Sequence, residues 1–266
     1  MKFTKMQGLG NDYLDVFGPP PADVAALSVR LSDRHFGPGA DGMIFIEPLD
    51  GARADFRMRI FNADGSEARM CGNGIRCVGK YVHDKGHTDK TRLTIETASG
   101  LRTLELHVED GRVTAATVDM GTALVSPEQT LSLPGGELSC TPVDVGNPHA
   151  VIFVPDAEAA PLTALGPQIE HHPAFPGGVN AEFVQVLDPH TLRMRVWERG
   201  SGVTMACGTG SCASAAAAVA KGFCAAGEPV AVILDGGTLR ITVAPDGTVR
   251  MTGPAEFVYE GDTEIC

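Results

Sequence analysis

Long apolar runs are missing from this 266-residue sequence: none reaches the roughly 18 residues that a membrane-spanning helix requires. The opening stretch, MKFTKMQGLGND, has no apolar segment of the signal-peptide kind, so neither insertion nor export is expected. Basic clusters are missing too. The 21 lysines and arginines are scattered among 33 acidic residues, and a formal net charge of −12 repels phosphate backbones, which argues against a nucleic-acid partner. That acidity governs solubility and the far field, and it leaves a small-molecule substrate open. There are seven cysteines, but not at the two-residue spacing of zinc ribbons or thioredoxin-like sites. The gaps are Cys71-x5-Cys77 and Cys207-x4-Cys212, and no metal site is expected. An odd number of cysteines, in a chain large enough to need no disulfide staples, points to free thiols in a reducing cytoplasm.

What is present is repetition. Cys71 and Cys207 lie 136 residues apart (207 − 71), close to half the chain. At that same ungapped offset RMRIFN (57–62) lies on RMRVWE (193–198), and Gly10-Asn11 lies on Gly146-Asn147. His35 lies on His171, Lys85-Gly86 on Lys221-Gly222, and Asp110-Gly111 on Asp246-Gly247. So many matches at one spacing indicate two homologous halves meeting near residues 115–120. No low-complexity linker separates them, so a tight interface is expected, with the cleft between the halves as the place for a site.

Each half reads in the same order. LDVF and AVIFV, after the Gly-Asn turns, predict short strands, and proline-opened stretches at 21–35 and 161–171 predict helices. GMIFIEPL and AEFVQVL are apolar and β-branched, whereas FRMRIF and LRMRVW alternate basic with apolar side chains, the period of a half-buried strand. The longest helical segments, 73–86 and 209–222, follow the two cysteines and end on Gly86 and Gly222, as C-capping glycines would end them. Hairpins with Ser-Gly, Asp-Gly and Gly-Gly turns close each half. The pattern predicts an α/β protein of the α+β type: two pseudo-symmetric halves, each a mostly antiparallel sheet wrapped around a central helix. The alanine-rich run 213–220 fits a helix enclosed by a curved sheet, although helix propensity alone also favours alanine.

A helix begins with backbone N–H groups that lack intrahelical partners and with roughly half a positive charge, which favours an adjacent anion such as a thiolate. The effect is about 0.3–1 kcal/mol, up to roughly 2 when partly buried, so it lowers a thiol by about one pKa unit. Two such thiols facing each other repel when both are ionised, which favours one proton shared between two sulfurs: one base and one acid. That pair suits removal of a proton from one face of a carbon and return of a proton to the opposite face, which is racemisation or epimerisation. No lysine stands in a pyridoxal-type motif to stabilise the carbanion, and no cofactor is expected. The N–H groups of Gly72-Asn73 and Gly208-Thr209 offer a cradle for an α-carboxylate instead, since glycine permits close backbone approach.

The sequence resembles the diaminopimelate epimerase family over its whole length, through KMQGLGNDYLDV, FNADGSEARMCGNGIRC, GNPHAV, VNAEFV and WERGSGVTMACGTGSCA in that order. These are pyridoxal-independent enzymes that interconvert LL- and meso-diaminopimelate on the route to lysine and peptidoglycan. The resemblance implies that Cys71 and Cys207 exchange the roles of proton acceptor and donor, and that the turns after them bind the reacting carboxylate. It places Asn11 near the reacting amino acid group. It implies that Asn62, Asn147, Asn180 and Arg199 hold the distal carboxylate, that Glu198 meets the distal ammonium, and that His149 and Glu198 tune the thiols. A bidentate guanidinium, donating amides and a carboxylate opposite an ammonium suit those roles. A homodimer is implied as well. So is a first half of residues 1–117, completed by a returning strand within 253–266 (EFVYEGDTEI), beside a second half of 118–252.

Three positions depart from the family pattern. Gln7 stands where many members have His, Gly42 where some have Gln, and Val203 where Glu is usual. The last removes a charge near Arg199 and bears on substrate identity. Two other readings stay open: a same-fold racemase acting on another amino acid such as histidine or proline, and a redox switch in which Cys71 and Cys207 form a reversible disulfide. A switch has no need of Asn62, Asn180, Glu198 and Arg199. A single-headed substrate would leave Glu198 and Arg199 without partners, unfavourable for buried charges. Simpler roles exist for several residues: turn formers for Asn11 and Asn147, a solvated loop for Arg199-Gly200, and packing for Cys77, Cys140, Cys212, Cys224 and Cys266. His35 and His171 read as dipole partners at helix C-termini.

Overall fold

Strand β1 (Lys2–Gly8) turns back into β2 (Asn11–Phe17) through Leu9 and Gly10, both with left-handed backbone at φ 59° and 84°. This hairpin opens the first of two units of the computed structural model, which describes residues 1–264; Cys266 lies outside them. The first unit comprises Met1–Asp119 and the segment from Gly253, and the second comprises Met120–Thr252.

In the first unit, helix α1 (Val24–Ser32) buries Leu27 and Leu31, one turn apart, and carries the chain over to β3 (Gly42–Pro48). β3 pairs parallel with β2, Asp15 opposite Ile44, and antiparallel with β4 (Phe56–Asn62), Ile44 opposite Ile60. After the two-residue strand β5 (Glu67–Ala68), helix α2 (Gly72–Asp84) crosses over to β6 (Arg92–Thr97), which pairs parallel with β4. β7 (Gly100–Glu109) and β8 (Arg112–Thr122) follow as hairpins. The strand Glu256–Asp262 returns to pair antiparallel with β1. Gly42 to Ile46 are all buried because helices cover both faces of β3, which explains its continuous apolar run. Phe3, Leu14, Met43, Phe45 and Phe61 pack with α1 on one side, while α2 packs against β1, β2 and β7.

The second unit repeats this plan. β9 (Leu124–Val125), β10 (Gln129–Leu133) and β11 (Gly136–Asp144) lead into β12 (Pro148–Phe153). Helix α3 (Leu162–Glu170) then crosses to β13 (Asn180–Asp188), parallel to β12 with Val151 opposite Glu182. β14 (Thr191–Glu198) runs antiparallel to β13 with Glu182 opposite Val196, β15 (Gly202–Val203) follows, and helix α4 (Gly208–Ala220) crosses to β16 (Pro229–Leu234), parallel to β14. β17 (Gly237–Val243) and β18 (Thr248–Gly253) close it, and β19 is the returning strand of the first unit. α4 is buried from Gly210 to Ala218 and is contacted by β9, β11 to β14, β16 and β17, so the alanine run is enclosed.

The α+β class and the paired halves stand as expected. Turn spacing alone favoured antiparallel pairing, yet each unit also contains two parallel pairs. In each case the intervening helix carries the chain back to the starting edge, which a hairpin cannot do. The helix ends match the glycine pattern. Gly86 and Gly222 both have φ 75°, and backbone bonds His87 N–H to Val82 O and Phe223 N–H to Ala218 O close equivalent C-caps. His171 caps α3, but α1 ends at Ser32, and His35 lies beyond it in a turn whose N–H groups Asp33 accepts.

Candidate active site

Both helices α2 and α4 begin on a cysteine. Cys71 and Cys207 are the N-caps, with extended backbone (φ −135°, ψ 119° and φ −125°, ψ 109°). Their sulfurs accept N–H bonds from the third residue onward, Gly74 at 3.4 Å and Gly210 at 3.3 Å. This is the position that serine or aspartate usually fills, so an acceptor sulfur is held where the helix dipole favours negative charge. The N–H groups of Gly72-Asn73 and of Gly208-Thr209 precede the first intrahelical bonds, which Ile75 and Ser211 make to Cys71 O and Cys207 O.

Around Cys71 the first unit gathers Asn11, Asn73 and Tyr13. The thiol donates to Asn11 Oδ1 at 3.4 Å, Asn73 Nδ2 donates to the same oxygen at 3.4 Å, and the Tyr13 hydroxyl donates to Cys71 Sγ at 3.5 Å. Asn11 is itself fixed by a 2.7 Å bond to Asp41 Oδ2. Burial and the neighbouring Cys71 push the Tyr13 phenol well above its ordinary value, so it stays a donor. Arg76, fully buried, donates to Gly72 O at 3.0 Å and Asn73 Oδ1 at 3.1 Å and locks the first turn of α2. Asn62 donates to Ser66 Oγ at 3.0 Å.

Around Cys207 the second unit gathers Thr209, Asn147, His149, Glu182 and Glu198. Thr209 Oγ1 lies 3.6 Å from Cys207 Sγ and accepts from Asn147 Nδ2 at 3.4 Å. Asn147 Oδ1 lies 3.1 Å from His149 Nε2, and His149 Nδ1 lies 2.6 Å from Glu182 Oε1. Glu198 accepts from Thr204 and also bonds the Cys207 thiol, and burial pushes its carboxyl above the ordinary range. Burial likewise pushes the Cys207 thiol well up, followed by the charges of Glu198 and Glu182, while Thr209 and the Gly210 N–H act against them. The dipole argument taken alone predicts a lowered thiol; at Cys207 dehydration and two carboxylates outweigh it. Asn180 accepts the Arg199 N–H at 2.8 Å and donates to Pro148 O at 3.3 Å, while Arg199 Nη1 donates to Gly177 O at 2.9 Å.

With this geometry in hand, the comparisons with known proteins are decisive. The sequence model of diaminopimelate epimerase matches residues 3–125 and 141–258. A diaminopimelate epimerase of Phocaeicola vulgatus is 51% identical over 280 residues, covering all of this chain and 99% of the relative, and one of Acetivibrio thermocellus is 47% identical over 281 residues with the same coverage. The chain belongs to the diaminopimelate epimerase family. Solved structures similar in fold include a probable proline racemase from Agrobacterium radiobacter (TM-score 0.76, 18% identity, 100% of this chain and 93% of that one). A hydroxyproline epimerase from Agrobacterium vitis is similar too (TM-score 0.74, 20% identity, 99% and 90%).

For a member of the diaminopimelate epimerase family, three features were not read from sequence. Tyr13 and Glu182 each sit two residues beyond an asparagine already singled out, Asn11 and Asn180, and the strand period of two puts them on the same face. Asp41 carried no such signal. Arg199 is exposed, so a missing partner would leave it solvated; the argument from buried charge applies to Glu198 alone. Of the departures, Gln7 caps the β1–β2 turn through Gly10 N–H, and Val203 is 43% exposed. Gly42 is required by packing, since a Cβ there would lie 2.3 Å from Phe61 O. Among the described residues no three His, Cys, Asp or Glu side chains are grouped to hold a metal ion.

Proposed function

We propose that this chain is a diaminopimelate epimerase that interconverts the LL and meso forms by direct proton transfer between its own thiols and the α-carbon, with no cofactor. The observation that carries the reading is the pair of N-cap cysteines at equivalent places in duplicated units, each with an N–H bond to sulfur. One thiolate takes the α-proton: the C–H bond breaks, an S–H bond forms, and the electron pair is left on the carbon and its carboxylate. The other thiol gives its proton to the opposite face: that S–H bond breaks and a new C–H bond forms with inverted configuration. The chemistry requires the two sulfurs to approach one carbon from opposite sides. Charge building on the α-carboxylate is stabilised by the helix N-terminal N–H groups of Gly72, Asn73, Gly208 and Thr209. Asn62, Asn147, Asn180, Glu198 and Arg199 take the distal amino acid group.

Both sulfurs must stay reduced, which places the reaction in the cytoplasm. No helix among the described residues is long and apolar enough to cross a membrane. A homodimer fits the exposed apolar side chains of Phe36, Val258 and Tyr259 in the first unit. Incubating the reduced protein with LL-diaminopimelate in heavy water tests the mechanism. Deuterium enters one α-carbon during turnover, and Cys71→Ser and Cys207→Ser each lower kcat by about two to four orders of magnitude. Wild-type rates in both variants refute it, and faster turnover of histidine or proline moves the substrate elsewhere in the fold family.

A further inference from the structure

At equivalent points of the strand register the two units carry different residues. Asp15 opposite Ile44 opposite Ile60 in the first unit corresponds, strand for strand, to Val151 opposite Glu182 opposite Val196 in the second. Val151 and Val196 stand at the offset of 136 (151 − 15 and 196 − 60), and Glu182 at 138 (182 − 44), so the second unit has two more residues between β12 and β13. Glycines in the first helical turns report the same equivalence. A Cβ on Gly74 would lie 2.7 Å from Ile44 Cδ1, and a Cβ on Gly210 would lie 2.8 Å from Glu182 Oε1 and 3.2 Å from Cys207 Sγ. The carboxylate therefore lies directly under the first turn of α4, beside the thiol. His149 correspondingly stands at the place of Tyr13 (149 − 136). Behind Cys71 the support is a phenol and an alkyl group; behind Cys207 it is an imidazole and a carboxylate.

Glu182 is fully buried, and one oxygen is spent on His149 Nδ1 at 2.6 Å while Oε2 has no hydrogen-bond partner among the described residues. A buried acid left half-satisfied is retained against its desolvation only where something else in the site depends on it. We propose that Glu182 is a positioning residue of the Cys207 half-reaction, pinning His149 through Nδ1 so that Nε2 is aimed along the Asn147–Thr209 path to Cys207, and biasing that thiol toward its protonated form. This rests on Cys207 being an acid–base group. The groups facing Cys207 are Glu198 from β14, Glu182 from β13, His149 from β12, and the N–H groups of the first turn of α4. Two carboxylates on that list oppose a thiolate by like-charge repulsion. Glu182 does not reach the substrate cradle itself; it acts through the ring and through its field.

The experiment is alkylation of the full-length reduced protein by iodoacetamide from about pH 6 to about pH 10, with Cys71 and Cys207 peptides quantified by mass spectrometry. Each rate is normalised to its own plateau, so that access cancels and the midpoint reports the thiolate. In the wild-type protein the Cys207 midpoint lies above that of Cys71. Glu182→Gln, which keeps the shape and the acceptor for Nδ1–H, lowers the Cys207 midpoint by about one pH unit or more and leaves Cys71 in place. In turnover the variant loses kcat by roughly tenfold, with KM within about twofold, because substrate contacts are untouched. A wild-type Cys207 midpoint at or below that of Cys71 overturns the proposal whether or not the variant folds. So does a Glu182→Gln midpoint equal to wild type, or a change in KM alone. Full turnover by Cys207→Ser would sink the two-thiol chemistry instead, whereas an inactive Cys207→Ser with unmoved titration in Glu182→Gln sinks only the role of Glu182.

Discussion

Replacing Asp15 by valine should stabilise the protein, and by more as the pH rises. Asp15 is completely buried on β2, neither carboxyl oxygen has a hydrogen-bond partner among the described residues, and burial pushes its carboxyl well above the ordinary range. Leaving such a group unsatisfied costs about 1–3 kcal/mol, and valine, the residue that the second unit uses at the equivalent point (Val151), removes that penalty while adding apolar volume to a strand that favours β-branching. That part is present at any pH. The second part follows from linkage: the folded state holds the proton more tightly than the unfolded one, so what Asp15 contributes is intact below the ordinary carboxylate value and is lost as pH climbs toward the folded one. Across that window the difference between variant and wild type grows by up to about 1.36 kcal/mol per pH unit. Urea denaturation at about pH 4.5 and about pH 7.5 measures it. Tyr13, Tyr81 and Tyr259 all lie in the first unit and the single tryptophan, Trp197, in the second, so tyrosine signals report the unit that carries the substitution. A stability difference that stays constant between the two pH values, or a destabilised variant at the higher one, refutes the neutral-acid account.

Two packing predictions accompany this one and the thiol experiments above. Gly166→Ala puts a Cβ 2.4 Å from the Trp197 ring, which also donates to Glu170 Oε2 at 2.7 Å, so a loss of about 1–3 kcal/mol in thermal or urea denaturation is expected. An unchanged midpoint would mean that the ring relocates freely. Gly210→Ala drives a methyl between Glu182 Oε1 and Cys207 Sγ, whereas Gly74→Ala meets the movable end of Ile44; steady-state kinetics should show a roughly tenfold or greater fall in kcat for the first and a smaller one for the second. Equal losses would contradict the inequality of the two helix mouths.

Most of the architecture could be read before any coordinates. The offset of 136 located both N-cap cysteines, and the glycines at 86 and 222 marked the ends of the helices that follow them. Parallel pairing escaped because strand patterning says nothing about which edge a chain returns to after a helix. Asp15 and Glu182 escaped for a different reason: each is the one charge in a mostly apolar segment, LDVF and AEFVQVL, and the pattern of the segment swamps the exception. The extra two residues before β13 also moved Glu182 out of the ungapped offset, so its correspondence to Ile44 becomes visible only through hydrogen-bonded register. Tyr13 shares a strand face with Asn11, two residues on, whereas Asp41, which supports the same asparagine from a distant turn, carries no mark in the sequence.

The return of β19 to β1 has a consequence for biosynthesis. Lys2 pairs with Asp262 and Phe3 with Gly261, so the first unit draws its edge from both sides of the second. On the ribosome, residues 120–252 are made as one continuous stretch, whereas the unit that emerges earliest must wait with β1 half-paired until the residues beyond 253 are made. The unit translated first is the one finished last, and a message cut short after the second unit would leave a bare strand edge beside the Cys71 helix.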